Sequence, residues 1–175
     1  MLGLSALPST HPLNVGMLGM HGNYAPNLKE QECDVLIAIG MRFSDRVTGN
    51  LKTYAKQAKV IHLDIDRSEI DKNVKSDVAA IADCKESLPA LTALIQKADH
   101  REWRDSFLPL AEKERENVIE PAIHPTEGPL LMGEVVNAVA EATQGDAVLV
   151  TDVGQNQLFA TCYFRYPLGR TYSSS

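Results

Sequence analysis
Two short apolar runs constrain this chain more than any other feature. The first, Asp34-Val35-Leu36-Ile37-Ala38-Ile39-Gly40, is β-branched at Val35, Ile37 and Ile39 and closes on a glycine. It reads as a strand buried on both faces, as in a parallel sheet. The second, Lys59-Val60-Ile61-His62-Leu63-Asp64-Ile65-Asp66, reads the same way and ends in carboxylates. Asn50 to Ala58 lies between them and can supply a crossover helix of about two turns. Strand, helix and strand in this space make a βαβ unit, expected to be right-handed. A third strand, Val78 to Ala82, ends at Asp83, and the polar Asp66–Asn73 stretch before it has room for a helical turn.

Helices follow. Cys84 or Lys85 to Lys97 carries an apolar stripe at Leu88, Leu91, Ala93 or Leu94, and Ile95, with Pro89 expected in the first turn, where a missing N–H costs little. A second helix spans about Arg101 to Asn117, with Trp103, Phe107, Leu110 and Ala111 as its buried face and Pro109 bending or splitting it. Ile119 to Pro129 then holds three prolines and little periodicity, which reads as a linker. Beyond it come a helix from Pro129 to about Thr143 (Leu130, Leu131, Val135, Val136 and Val139 inward), a strand Ala147–Thr151 and a helix opened by Gly154 and Asn156 that runs through Phe164. The resulting fold class is α/β: a three-layer parallel sheet over 1–117, a linker over 118–128, and the start of a second α/β domain over 129–175.

Composition removes some functions. The net charge of −6 leaves no basic stripe for nucleic acid. No apolar run reaches the ~18 residues of a membrane span. Met1–Leu7 has no basic start, and Pro8 and Pro12 follow, so no signal peptide is read. Cys33, Cys84 and Cys162 have no metal-ligand spacing and form an odd set, which fits a reducing, cytoplasmic setting.

In open α/β sheets ligands bind beyond the carboxyl ends of the strands, so the candidates are the residues that follow each strand. After the first comes Gly40-Met41-Arg42-Phe43-Ser44-Asp45-Arg46. Glycine admits a ligand to the backbone, and the two guanidiniums can pair with phosphate oxygens. After the second come Asp64, Ile65 and Asp66, where a carboxylate can accept from ribose hydroxyls; after the third comes Asp83. This set suggests a nucleotide-like ligand with a diphosphate. Surface ion pairs and helix caps use the same residue types, and no Gly-x-Gly-x-x-Gly fingerprint is present. Gly19, Met20 and His21 sit in a glycine-rich apolar loop able to face a flat aromatic ring, or to serve as a tight turn with core methionines. Gly154, Gln155 and Asn156 stand where a strand meets a helix. They can offer backbone donors to a diphosphate, or simply cap the helix. No nucleophile–base pair and no metal-ligand spacing is evident, so no catalytic or metal-binding residue is assigned. His62 reads as a core or edge residue, and Glu112 to Glu116 as a solvated helix face.

Taken in order, Met17-Leu18-Gly19-Met20-His21-Gly22, then Ala38-Ile39-Gly40-Met41-Arg42-Phe43-Ser44-Asp45-Arg46-Val47-Thr48-Gly49, then Ile61-His62-Leu63-Asp64-Ile65-Asp66, then Val150-Thr151-Asp152-Val153-Gly154-Gln155, resemble the acetolactate synthase large subunits. The resemblance covers nearly the whole chain and is weakest over 86–126. It implies a thiamine-diphosphate enzyme with Mg2+ and FAD. Such an enzyme condenses two pyruvates, or pyruvate with 2-oxobutyrate, with loss of CO2, for branched-chain amino acid synthesis. It implies a homo-oligomer, dimer or tetramer, with a small regulatory subunit. By resemblance, Gly19, Met20 and His21 lie along the flavin, and Gly40, Met41, Arg42, Asp45, Arg46 and Val47 along the FAD chain and diphosphate. Asp64, Ile65, Asp83 and Cys84 hold the adenosine end, and Gly154, Gln155 and Asn156 approach the thiamine diphosphate. Ser44 departs from the aspartate of many relatives, and Asn156 from their histidine, so a proton-exchanging group is absent there. The resemblance also marks the chain as an internal fragment, inactive by itself and weak in FAD affinity. Other flavin-containing thiamine enzymes, of the glyoxylate carboligase or pyruvate oxidase type, and a non-catalytic nucleotide-binding module are the competing readings.

Overall fold
The computed structural model describes residues 3–167 and 172–174. The chain forms two compact units, Asn27–Arg101 in one, and Met1–Pro26 with Glu102–Ser175 in the other. The division falls at Arg101, ahead of the boundary expected near 117, and the first 26 residues group with the C-terminal segment.

Before the sheet of the first unit comes α1 (Tyr24–Lys29), whose start lies in the other unit. The sheet itself is β1 (Val35–Ile39), β2 (Lys59–Asp64) and β3 (Val78–Ile81) in that order, all parallel, with Val35 paired to Lys59 and Ile61 to Val78. Strand-edge bonds extend the ladder at the carboxyl end: Gly40 N–H donates to Leu63 O at 2.8 Å and Ala82 N–H to Asp64 O at 3.1 Å. The three C-terminal tips therefore share one sheet edge.

The two sheet faces are unequally covered, although Leu63 in the middle strand is buried on the more open one. Side chains alternate along a strand, and residues paired across strands share a face. Leu36, Ala38, Val60 and His62 point to the covered face, where Ala38, Phe43, Tyr54, Ala55 and Val60 make the core. On the other face Val35, Ile37, Ile39 and Val78 are 44–57% exposed, so β1 is not buried on both sides as its composition led us to expect. Composition reports the apolar character of a strand but not which layers cover it.

The crossover also differs from expectation. A short helix α2 (Asp45–Thr48) follows β1, and residues 50–58 form successive turns in place of a helix. Asn50 O accepts from both Thr53 N–H and Tyr54 N–H, and Ala55 then takes φ 43°, a left-handed conformation that ends any helical run. A single 3-10 turn, Arg67–Glu69, is capped by Asp66 and supplies the helical turn expected there. The helix α3 (Cys84–Leu94) begins at the Asp83 cap. Pro89 lies one turn deeper than expected, and none of α3 is buried; Leu94 and Ile95 are 84% and 60% exposed.

In the second unit the expected 101–117 helix is broken at Pro109 into α4 (Arg101–Asp105) and α5 (Leu108–Glu114). Its supposed buried face is only partly covered, with Trp103 and Phe107 meeting edge to face at 5.4 Å. A π-turn, Arg115–Ile119, and α6 (Glu120–Ile123) occupy the first half of the expected linker. The prolines do not prevent this, because Pro121 sits in the first turn of α6, where no N–H is required. Then α7 (Met132–Ala142) buries Gly133, Asn137 and Ala140; of the apolar stripe read from sequence Val136 packs against the core, whereas Leu130, Leu131, Val135 and Val139 are exposed. The close approach explains the swap: a Cβ on Gly133 would lie 2.5 Å from Ala122 O, so small residues define the contact side. β4 (Leu149–Thr151) and β5 (Tyr172–Ser174) pair in parallel, with α8 (Gln155–Tyr163) between them. Ala140, Ala160, Phe164, Tyr166 and Tyr172 form this unit's core, and the Tyr166 hydroxyl donates to Ala160 O at 2.7 Å.

Candidate functional site
The loop that leaves β1 carries the densest set of expected site residues. Gly40 adopts φ 59°, and a Cβ there would meet nothing within 4 Å. The space beside this backbone is thus open, as close ligand approach requires. Three residues later Phe43 takes φ 49°, a conformation that costs a bulky L-residue roughly 1–2 kcal/mol. The ring repays this by burial: Phe43 is 2% exposed, and a fully buried Phe gains on the order of 2–3 kcal/mol. Its edge contacts are His62 at 5.0 Å and Tyr54 at 6.1 Å between ring centroids.

Side chains from β2 and the segment after it hold the same loop. His62, fully buried, sets Nε2 2.9 Å from Met41 O. A carbonyl only accepts, so Nε2 carries the proton, and Nδ1 is left buried without a partner. The Asn73 amide donates to Arg42 O and Phe43 O, each at 3.2 Å. Outward from this anchor, the Arg42 and Arg46 side chains are exposed, and neither guanidinium pairs with a carboxylate among the described residues. Asp45 opens α2 and accepts from Arg46 N–H at 3.0 Å; Val47 is half-buried.

The tips of β2 and β3 are less open. Asp64 is 6% exposed; its Oδ1 accepts from Asp66 N–H at 2.9 Å, and Oδ2 lies 3.8 Å from His62 Nε2. Two residues apart on one strand, Asp64 and His62 share the covered face, so this carboxylate points into its own unit. A ribose-accepting role expected for it is not matched by that orientation. Ile65 is 70% exposed. Asp66 accepts from Ser68 N–H and Ser68 Oγ, bonds that hold its carboxyl below the usual range. Asp83 is exposed and accepts from Lys85 N–H at 2.8 Å, which is the helix-cap alternative for that residue, and Cys84 is half-buried.

In the other unit the glycine-rich loop is a closed turn. Asn23 Oδ1 accepts from Met17 N–H at 2.8 Å, Asn23 N–H donates to Met17 O at 2.7 Å, and Gly22 N–H to Gly19 O at 2.8 Å. Glu114 fixes the turn, accepting from Asn23 Nδ2 at 3.3 Å and Tyr24 N–H at 3.0 Å. Gly19 is buried, whereas Met20 (70% exposed) and His21 project outward and are not core. Gly154, at φ 142°, precedes α8, with Gln155 and Asn156 exposed on its first turn. Burial raises the thiols of Cys33 and Cys162, so neither is activated as a nucleophile. Among the described residues no group of three or more His, Cys, Asp or Glu could hold a metal ion.

Sequence reasoning missed Asn73 and Tyr54, whereas His62, read as a core or edge residue, is fully buried. Asn73 had no visible signal, because its contacts lie about thirty residues away in sequence.

A parallel sheet with its ligand candidates gathered at one edge defines a class of α/β binding domain, and comparison with known proteins gives its family. Residues 1–91 match the family described as "Thiamine pyrophosphate enzyme, central domain", and the chain belongs to it. It is 39% identical over 181 residues to a probable acetolactate synthase large subunit of Methanocaldococcus jannaschii. It is also 39% identical over 176 residues to the acetolactate synthase large subunit of Lactococcus lactis, and 34% identical over 179 residues to the isozyme 3 large subunit of Escherichia coli. All of this chain is covered in each case, and it spans 30–31% of the length of these relatives.

Proposed function
We infer that the protein bearing this chain is the large catalytic subunit of an acetolactate synthase. It condenses two pyruvates to 2-acetolactate, or pyruvate with 2-oxobutyrate to 2-aceto-2-hydroxybutyrate, with loss of CO2, for branched-chain amino acid biosynthesis. The observation that carries this reading is identity of 34–39% to acetolactate synthase large subunits over alignments that cover the whole chain. Fold alone would not suffice, since one fold serves many reactions.

The residues fit the cofactors this reading implies. For FAD the diphosphate end is the better match. Arg42 and Arg46 present guanidiniums that pair with no carboxylate among the described residues, beside a glycine with open space at its Cβ position. Such groups bind phosphate oxygens by charge-assisted, often bidentate, bonds. Gly40, Met41, Asp45 and Val47 would complete this stretch, with Gly19, Met20 and His21 toward the flavin. At the adenosine end Ile65, Asp83 and Cys84 are the accessible contributors, together with the backbone of Asp64. Gly154, Gln155 and Asn156 would hold the thiamine diphosphate, at a helix N-terminus whose backbone N–H groups favour an anion. Thiamine diphosphate, held by Mg2+, supplies the stabilised carbanion when bound. The chain's own contribution is to bind and orient. Pyruvate and 2-oxobutyrate as substrates, assembly as a dimer or tetramer, and a small regulatory subunit belong to the same proposal. The unpaired thiols Cys33, Cys84 and Cys162 favour a reducing compartment, the cytoplasm.

The test is acetolactate formation by the full-length protein. Pyruvate, thiamine diphosphate and Mg2+ should give acetolactate, and omission of either cofactor should abolish it. A folded, cofactor-loaded protein that consumes no pyruvate would overturn the assignment.

A further inference from the structure
Three successive carbonyls, those of Met41, Arg42 and Phe43, accept hydrogen bonds from side chains far along the chain: His62 Nε2 at 2.9 Å, and Asn73 Nδ2 at 3.2 Å twice. We propose that Asn73, assisted by His62, is a positioning residue that clamps the diphosphate loop in its binding shape; this rests on the reading of that loop as part of the FAD site. In a planar trans peptide the N–H points away from the C=O. Drawing these carbonyls toward β2 and the segment after it therefore turns the N–H groups of Arg42, Phe43 and Ser44 the other way. None of those three N–H groups has a partner among the described residues. Successive free N–H groups beside a left-handed residue form a concavity suited to an anion, and Phe43 at φ 49° is that residue. Without the clamp the peptide planes after Met41, Arg42 and Phe43 are freer to rotate, and their N–H groups lose a common direction. Asn73 touches no ligand in this scheme; it acts through the loop's backbone.

The variant Asn73→Asp keeps the shape of the side chain, removes the donor and sets an acceptor against two carbonyl oxygens. Asn73→Ala removes the group without repulsion. Asn73 is exposed, so both variants should keep the fold. Three readouts are needed on the full-length protein: FAD titration, the thermal midpoint without FAD, and trypsin cleavage after Arg42 and Arg46 without FAD. Loss of two bonds of roughly 0.7 kcal/mol each corresponds to about a tenfold change. Both variants should therefore raise the FAD dissociation constant about tenfold, and Asp at least as much as Ala. Cleavage after Arg42 and Arg46 should accelerate to a similar degree, with cleavage after Arg101 unchanged and the thermal midpoint lowered by no more than about 2–4 °C. Asn73→Gln, which retains an amide donor, should recover part of the protection. Wild-type behaviour of the Asp variant in both binding and proteolysis overturns the proposal, as does acceleration of all cuts alike with a midpoint that falls further. If the loop is unmasked but the wild-type protein itself takes up no FAD, the clamp stands and the flavin reading falls.

Discussion
Gly22 and Gly40 look alike in the sequence but are required for different reasons. A Cβ on Gly22 would lie 2.2 Å from the backbone oxygen of Met17, inside a turn closed by Asn23 on both sides. The obstacle is main chain and cannot rotate aside, so Gly22→Ala should cost about 2–3 kcal/mol of unfolding free energy, the range of a forced core overlap. Gly40 has open space and only the left-handed backbone to satisfy, so Gly40→Ala should cost roughly 1 kcal/mol. Urea unfolding of the two variants measures the difference; equal losses would mean that the Gly22 turn opens easily. Glu30 gives a second test at this scale. It is 8% exposed with Oε1 unpartnered, and burial pushes its carboxyl above the usual range. A group with a raised folded pKa contributes most below its unfolded pKa, and that contribution is lost as pH rises through the folded value. Glu30→Gln should therefore match the wild type near pH 4 and become the more stable protein as pH rises toward 7. A stability gap that narrows over that interval would contradict the assigned burial.

At the scale of elements, the strands were legible and their surroundings were not. β1, β2 and β3 fall within the runs that their β-branched residues and the glycine or carboxylates that close them mark out, and their pairing is parallel as expected. The helix faces were misread for a common reason. Periodicity reports which residues could be buried, and α7 buries Gly133, Asn137 and Ala140 because a close backbone approach admits only small groups there. The crossover lost its helix to one left-handed alanine, Ala55, which no propensity scale announces. The site divides the same way. Gly40, Arg42 and Arg46 could be named from their place after a strand, whereas Asn73 reaches them only through the folded chain. The proline-rich segment yields a direct test. Glu120 opens α6 and pairs with Arg115 at 2.8 Å, whereas Glu127 lies in an exposed stretch without regular structure. Thermolysin, which cuts before large apolar residues, should cut the native protein before the exposed Leu130 and spare Ile123 within α6, by at least about tenfold in rate, since local unfolding must precede cleavage in a helix. Equal cutting at both would restore the reading of the whole segment as linker.

For the molecule as a whole, the division into Asn27–Arg101 and the remainder makes the segment between α3 and α4 the natural seam. Residues 95–100 have no regular structure and are exposed throughout. Near it Arg101 pairs with Asp99, at 2.6 Å from Nη2 to Oδ2, with both side chains more than half exposed. An exposed pair of this kind restrains a chain little, by at most about 1 kcal/mol. The seam should therefore fit a protease cleft at small cost, whereas Arg42 is held through its own carbonyl by Asn73, and Lys59 sits in the middle strand of a paired sheet. Native trypsin digestion followed by mass measurement should show cuts after Lys97 and Arg101 before any after Arg42, Arg46 or Lys59. First cuts at Lys59 would mean that the sheet unit opens more readily than its seam, and would count against two compact units divided at Arg101.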